Sequence, residues 1–237
     1  MSDYDRNAAI PDASADRTLA VDAGLRVHML RVYNNMAAGV GLTGLVAMLT
    51  YQFTSPELLQ SPLMWVFMLA PFVLVFFISA RINKLSAETA RLLFFVYAAL
   101  VGLSLSTIFH VYTGASITRV FFISAAAFGS LSLFGYTTRR DLSGFGTFLF
   151  MGLIGVVIAS LVNLFLRSSG LDWLISVVGV GVFAGLTAYD TQRIKRMHDP
   201  GDDATVAGRK AVMGALSLYL NFINLFMMLL RLFGGRR

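Results

Sequence analysis

The sequence predicts an all-α integral membrane protein that crosses the bilayer as a bundle of seven helices. Composition is the first reason: 57% of the 237 residues are hydrophobic and 14% are charged, against roughly 25% charged and 45–50% apolar in soluble domains. Segment length is the second. Apolar runs of about 20 residues follow one another with short polar breaks, and at about 1.5 Å per residue each can cross a hydrocarbon core of about 30 Å as a helix. The third is a pattern that does not occur: a membrane barrel would alternate apolar and polar residues over segments of about 10, and the chain shows no such alternation.

Taken in order, residues 1–29 are polar and carry Asp3, Asp5, Asp12, Asp16 and Asp22 among scattered arginines, so they are expected to form a mobile tail ahead of a single seven-helix domain over 30–237. They do not read as a signal peptide, because the first long apolar run begins only after Arg31. The spans are expected at 33–53, 62–80, 90–109, 118–137, 146–166, 171–192 and 211–233. Pro56 and Pro62 bracket the first loop, and Pro200 with Gly201 marks the longest, between the sixth and seventh spans.

Seven spans give a topology that the basic residues can orient. The tail and the loops after the second, fourth and sixth spans hold Arg6, Arg17, Arg26, Arg31, Arg81, Lys84, Arg91, Arg139, Arg140, Arg193, Lys195, Arg196, Arg209 and Lys210, fourteen of the nineteen Lys and Arg. The other side holds Arg119, Arg167, Arg231, Arg236 and Arg237. The positive-inside rule therefore puts the N-terminus in the cytoplasm; three arginines at the C-terminal end then sit on the side that should be poor in them, and a re-entrant final segment would satisfy them. The net charge of +6 is spread over short loops, which fits membrane orientation and not a nucleic-acid-binding face. With no cysteine, disulfides, thiolate metal sites and cysteine nucleophiles are excluded.

Ionisable groups inside a span are costly and count as functional candidates. Of the thirteen acids, Asp190 alone falls inside a span away from an obvious loop, about one turn from the interface marked by Arg193 and Lys195. Taken from position alone, a solvated helix-end acid and a functional group have equal claim. On the seventh span Gly214, Ser217, Asn221 and Asn224 follow at steps of three, four and three, so they share one face. That polar stripe points into the bundle or a wet cavity, as interhelical glue or as the lining of a pathway. Arg81 ends the second span on the same side as Asp190 and is a candidate partner for it. Gly39, Gly41, Gly44, Ala125 to Gly129, Gly152, Gly155, Gly181 and Gly185 are expected to be packing surfaces.

At these residues the chain resembles the Bax inhibitor-1 family of seven-helix membrane proteins, in its bacterial branch. The resemblance runs from about Gly24 to Gly234. It is carried by Arg31-Val32-Tyr33-Asn34-Asn35-Met36, by Gly135-Tyr136-Thr137-Thr138-Arg139-Arg140-Asp141-Leu142-Ser143, by Ala188-Tyr189-Asp190-Thr191-Gln192, and by Ala215 to Phe226 on the seventh span. The resemblance implies a pH-sensitive calcium leak in the bacterial inner membrane, with the seventh helix central in a surround of six. Its sensor would be an aspartate pair on the sixth and seventh helices, latched by an arginine from the second. Asp190 matches the first aspartate and Arg81 the arginine, but Asn221 stands where the second aspartate is expected. Two close carboxylates raise one pKa by mutual repulsion, and Asn221 cannot. It also leaves less negative charge for Ca²⁺, which counts against calcium conduction. An acid that the family can carry in the second helix aligns with Ala70.

On this reading the protein is not an enzyme. No catalytic residue is assigned, since an aspartyl protease needs two carboxylates and none of Lys84, Lys195 and Lys210 lies mid-span for a Schiff base. Asp190, Asn221 and Arg81 are the pore or latch candidates, Ser217 and Asn224 complete the polar face, and Asp190 is the candidate metal ligand. No cofactor is expected apart from Ca²⁺ as a permeant or weakly bound ion. The expected partners are the lipid bilayer and, in the alternative reading, a membrane-anchored quality-control protease engaged through the tail.

Overall fold

Helix is the form that long apolar runs must take in lipid, because it satisfies every backbone N–H and C=O within the segment. The computed structural model describes residues 13–53 and 62–237. It contains α1 (Ala13–Phe53), α2 (Pro62–Arg81), α3 (Ala87–Leu105), a one-turn α4 (Ile108–Val111), α5 (Gly114–Thr137), α6 (Ser143–Leu166), α7 (Ser169–Arg196) and α8 (Ala204–Phe233). Seven of these, all but α4, contain a stretch long and apolar enough to span a membrane.

The helix starts follow capping chemistry. Ser86, Thr113, Ser168 and Asp203 each accept the backbone N–H three residues on, from Thr89, Ser116, Leu171 and Val206, which satisfies one of the donors a helix start leaves unpaired. α2 opens on Pro62, where the missing N–H costs nothing.

Three departures from the expected spans have local causes. The third span divides, because the hydroxyls of Ser104, Ser106 and Thr107 take the carbonyls of Leu100, Leu103 and Ser104 and so compete with the helix ladder. α7 and α8 run beyond the apolar stretch at the ends that face each other, to Arg196 and from Ala204. α1 is already helical at Ala13, and His28 and Met29 are buried, so the packed bundle begins before residue 30. The His28 ring stacks on His198 after α7, with centroids 5.6 Å apart. The rest of the expected mobile tail, residues 1–12, and the first loop with Pro56 lie outside the described residues.

α8 is the most deeply buried of the spanning helices. Four of its six expected neighbours, α1, α3, α5 and α7, pack closely on it, while α2 attaches chiefly to α3, and α6 to α7. The outer helices present Phe72, Phe76, Phe148 and Phe165 almost bare, as a lipid-facing surface should. Hydroxyls tie the inner helices together. Tyr219 of α8, fully buried, meets Thr43 of α1 at 2.6 Å, and Thr43 donates at 2.8 Å to the Ala98 carbonyl of α3. Tyr33, Ser132 and Thr191 form a second chain across α1, α5 and α7, at 2.5 and 3.0 Å.

The small residues divide between packing and lipid. A Cβ on Gly39 would meet Phe94, one on Gly152 would meet Val182 and one on Gly185 would meet Leu149, whereas Gly41, Gly44, Gly129, Gly155 and Gly181 have open space beside them. The closest approach between helices falls at a glycine outside the expected packing set: Gly135 of α5 lies directly on the Ala188 carbonyl of α7.

Candidate functional site

Asp190 sits on α7 one and a half turns before the helix ends, opposite the middle of α8. Its side chain is 13% exposed. Asn221, itself buried, donates from Nδ2 to Asp190 Oδ2 at 2.8 Å. An ionised carboxylate only accepts, so the amide must turn its NH₂ toward it; the Asn221 oxygen is left as the free acceptor. The nearest cation is Arg193 of the same helix, with Nη1 3.9 Å from Asp190 Oδ1 and the arginine side chain 60% exposed. At that distance and exposure the pair is weak.

The expected partner, Arg81, is elsewhere. It ends α2 with its side chain exposed and forms no ion pair among the described residues. α2 lies chiefly against α3, and although Ile82 and Asn83 just beyond its end line a cleft with Asp190, Arg81 itself stays exposed and does not pair with the acid. The sequence signal that marks Arg193 instead is its spacing, three residues on along α7, which places it on the same helical face.

Two clefts meet at Asp190. The first, about 340 Å³, lies between the turn Ile82–Lys84, α7 and α8, and is lined by Asp190, Arg193, Arg209, Lys210, Gly214 and Ser217 among others. Its mouth is basic, but two of the cations are engaged: Arg209 donates to the Asn83 carbonyl, and Lys210 pairs with Asp202 at 2.5 Å. The second, about 500 Å³, opens between α6 and α8 with α7 as its floor; Thr147, Tyr189, Asp190, Ser217, Asn221 and Asn224 line it. Ser217, Asn221 and Asn224 of the polar stripe predicted on the last helix therefore face one cavity, while Gly214 lines the first cleft. Asn224 spends its amide on its own helix, donating to the Leu220 carbonyl at 2.8 Å.

Beyond Asn224 the polar lining stops. Met228 of α8 lies against Gly179 of α7, and Ile175, Val182 and Leu225 around it are buried. An ion entering from the Asp190 end would meet one carboxylate, the amide oxygens of Asn221 and Asn224, and hydroxyls, and then buried apolar side chains. Among the described residues no three of His, Cys, Asp and Glu come together as a metal site, so Asp190 would offer a cation a single charged ligand.

Residues not singled out by the sequence hold this end in shape. Gln192, two residues from Asp190, is buried and clips the α5–α6 loop by accepting from Leu142 N at 2.9 Å and donating to the Arg140 carbonyl at 2.8 Å. Lys195 donates to the Tyr136 carbonyl at 2.9 Å. Gly146 of α6 leaves the space that the Tyr189 ring occupies. Asp141, in the loop, accepts from Ser143 N, Ser143 Oγ and Arg196; these Ser143 hydrogen bonds and then Arg196 hold its carboxyl down at about 2.

Residues 25–237 match the family described as Inhibitor of apoptosis-promoting Bax1. Inner membrane protein YbhL of Escherichia coli K12 is 49% identical over 228 residues, which cover 94% of this chain and 97% of that protein. Uncharacterized protein RP147 of Rickettsia prowazekii is 44% identical over 239 residues and the full length of both chains. A protein of Borreliella burgdorferi is 52% identical over 170 residues, 71% of this chain and 73% of its own. Seven apolar spanning helices and a match over nearly the whole chain lead to one conclusion: this is a multi-pass membrane protein, and it belongs to the Bax inhibitor-1 family.

Proposed function

We propose that the protein is a cation leak through the bundle, in a closed form here, with Asp190 as the ion's point of entry. The supporting observation is that Asp190 is the one carboxylate lining both clefts and faces the Ser217–Asn221–Asn224 stripe. A buried charge at the wall of a wet cleft is what a cation path requires. In this reading the Asp190 end is cytoplasmic, as the basic loops at that end favour, and the membrane is the bacterial inner membrane, as the name of the Escherichia coli relative suggests. Opening would require α7 and α8 to part at Gly179 and Met228.

The chemistry of Asn221 sets the expected selectivity. A hard divalent cation takes 6–8 oxygen ligands and prefers carboxylates, and one acid with an amide is a poor substitute. Weak calcium passage with little pH dependence is the expectation for the wild type. Entry of calcium into liposomes carrying the purified chain, at acid and neutral pH, tests this beside Asn221→Asp and Asp190→Asn. Restored pH-dependent flux in Asn221→Asp supports the leak. If none of the three passes calcium or a monovalent cation above empty liposomes, the polar face is a structural seam.

A second reading draws on the N-terminal extension of α1. Helix from Ala13, ahead of the apolar stretch, offers an arm with Asp16, Arg17 and Asp22 to a partner such as a membrane-anchored quality-control protease. Deleting residues 1–22 would then abolish an effect on membrane proteolysis while leaving the bundle folded; an unchanged effect removes this reading.

A further inference from the structure

Three arginines meet at the end of the bundle opposite Asp190. Arg167 after α6, Arg231 in the last turn of α8 and Arg236 beyond it line one cleft of about 390 Å³, together with Asn163, Asp172 and Trp173. Asp172 is the one acid there, and Arg231 takes it, Nη1 to Oδ1 3.4 Å. Among the described residues Arg167 and Arg236 have no carboxylate partner and no side-chain hydrogen bond. We propose that this cleft binds the phosphate of an anionic phospholipid headgroup, with Arg167 and Arg236 as its ligands.

The two arginines are held in place independently. The C-terminal segment is pinned by Thr113 N donating to the Gly235 carbonyl at 3.1 Å, Arg237 N to the Val111 carbonyl at 3.0 Å, and Gly235 N to Ser116 Oγ at 2.7 Å. Arg237 is turned away to Tyr51, which leaves Arg236 for the cleft. On the other wall, Arg167 is the one non-glycine among the described residues with a left-handed backbone, φ 50°. Asn163 locks that turn: its carbonyl accepts from Arg167 N at 2.8 Å, and its Oδ1 accepts from Ser168 N at 2.9 Å. A strained backbone persists where its surroundings enforce it, and such positions gather at binding sites.

The chemistry names the ligand. Guanidinium groups match phosphate oxygens with paired, charge-assisted hydrogen bonds. The frame names its source. Trp173 lines the cleft, and Phe165, Leu166 and Phe233, close in sequence to Arg167 and Arg231, are exposed apolar side chains at the ends of spanning helices, where tryptophan marks the membrane boundary. A headgroup bound here would lay its acyl chains on that surface. A soluble phosphate would gain nothing from it. The proposal also gives a reason for basic residues at an end that the loop charges leave otherwise poor in them.

The test uses the full chain purified in detergent. Retention of phosphatidylglycerol and of phosphatidylcholine is compared by native mass spectrometry, and thermal unfolding is read with each lipid, with glycerol phosphate and with inorganic phosphate. Wild type should retain phosphatidylglycerol in preference, and the double variant Arg167→Gln with Arg236→Gln should hold it about tenfold or more weakly. Arg119→Gln, which removes one arginine charge outside the cleft, should behave as wild type. Equal retention by the double variant, or no preference of wild type for the anionic lipid, overturns the site; the wild-type comparison stands even if the double variant does not fold. Stabilisation by free phosphate as great as by the lipid overturns the lipid as occupant.

Discussion

The two ends of this bundle hold opposite electrostatic arrangements. At one end a single carboxylate, Asp190, lies mostly buried, with an amide at 2.8 Å and an arginine only at 3.9 Å. At the other, three guanidinium groups line one cleft with a single carboxylate, which only Arg231 engages. The first end has brought a charge inward without a strong counter-charge; the second keeps an excess of charge at the boundary, where headgroups and water reach it. Burial decides how much each charge matters to the fold, since a charge taken from water costs several kcal/mol while an exposed one costs little.

That contrast can be broken in order of expected effect. Asn221→Asp is the strongest challenge, because it sets a second carboxylate against Asp190 where the one nearby cation, Arg193, is exposed and 3.9 Å away. It should destabilise the detergent-solubilised protein by about 3 kcal/mol at neutral pH; an unchanged unfolding temperature would show the site to be wetter than its geometry implies. Gly135→Ala comes next. Its new methyl would press on the Ala188 carbonyl, which is backbone and cannot swing aside, so a loss of about 1–3 kcal/mol is expected. Unchanged melting would mean that the close α5–α7 contact does not position the acid.

At the opposite end the same logic expects little. Arg231→Gln breaks the Arg231–Asp172 pair, whose side chains are each 36% exposed, and should cost about 0.2–1 kcal/mol in thermal unfolding; a larger loss would place that end among the buried, structural charges. Asp141→Asn should have the smallest effect. The Asp141 carboxyl is fully exposed and is held low, at about 2, by Ser143 and then Arg196. Its contribution is therefore present above the ordinary carboxylate range and fades as pH falls toward about 2, so wild type and variant should differ slightly at neutral pH and converge in acid. Hydrogen exchange in the Arg140–Ser143 loop measures this directly.

Much of the fold was legible because lipid imposes a simple rule on the chain. Apolar length alone located six of the seven spans to within seven residues at both ends, and Ser86, Thr113, Ser168 and Asp203 are capping residues visible as letters. The start of α1 was not legible, because a helix carrying Asp16, Arg17, Asp22 and Arg26 carries no apolar-run signal, and the burial of His28 depends on His198 about 170 residues away. The division of the third span rests on hydroxyls whose bonding to nearby carbonyls appears only in three dimensions. The glycines show the same limit. Spacing marks Gly152 and Gly155 alike, but one meets Val182 and the other meets nothing, since a small residue says that a neighbour can approach and not that one does.

For the site, sequence by itself determined that Asp190 is an acid inside a span and that Ser217, Asn221 and Asn224 share a face, since both follow from hydropathy and the 3.6-residue turn. Tertiary structure alone decided which groups meet. It turned Asn221 onto Asp190, left Arg81 exposed at the end of α2, put Arg193 in its place, and gathered Arg167, Arg231 and Arg236 from separate segments around one cleft. Helical periodicity is local and can be read from spacing, whereas contact between helices depends on how whole apolar surfaces pack, and no short stretch of sequence carries that information.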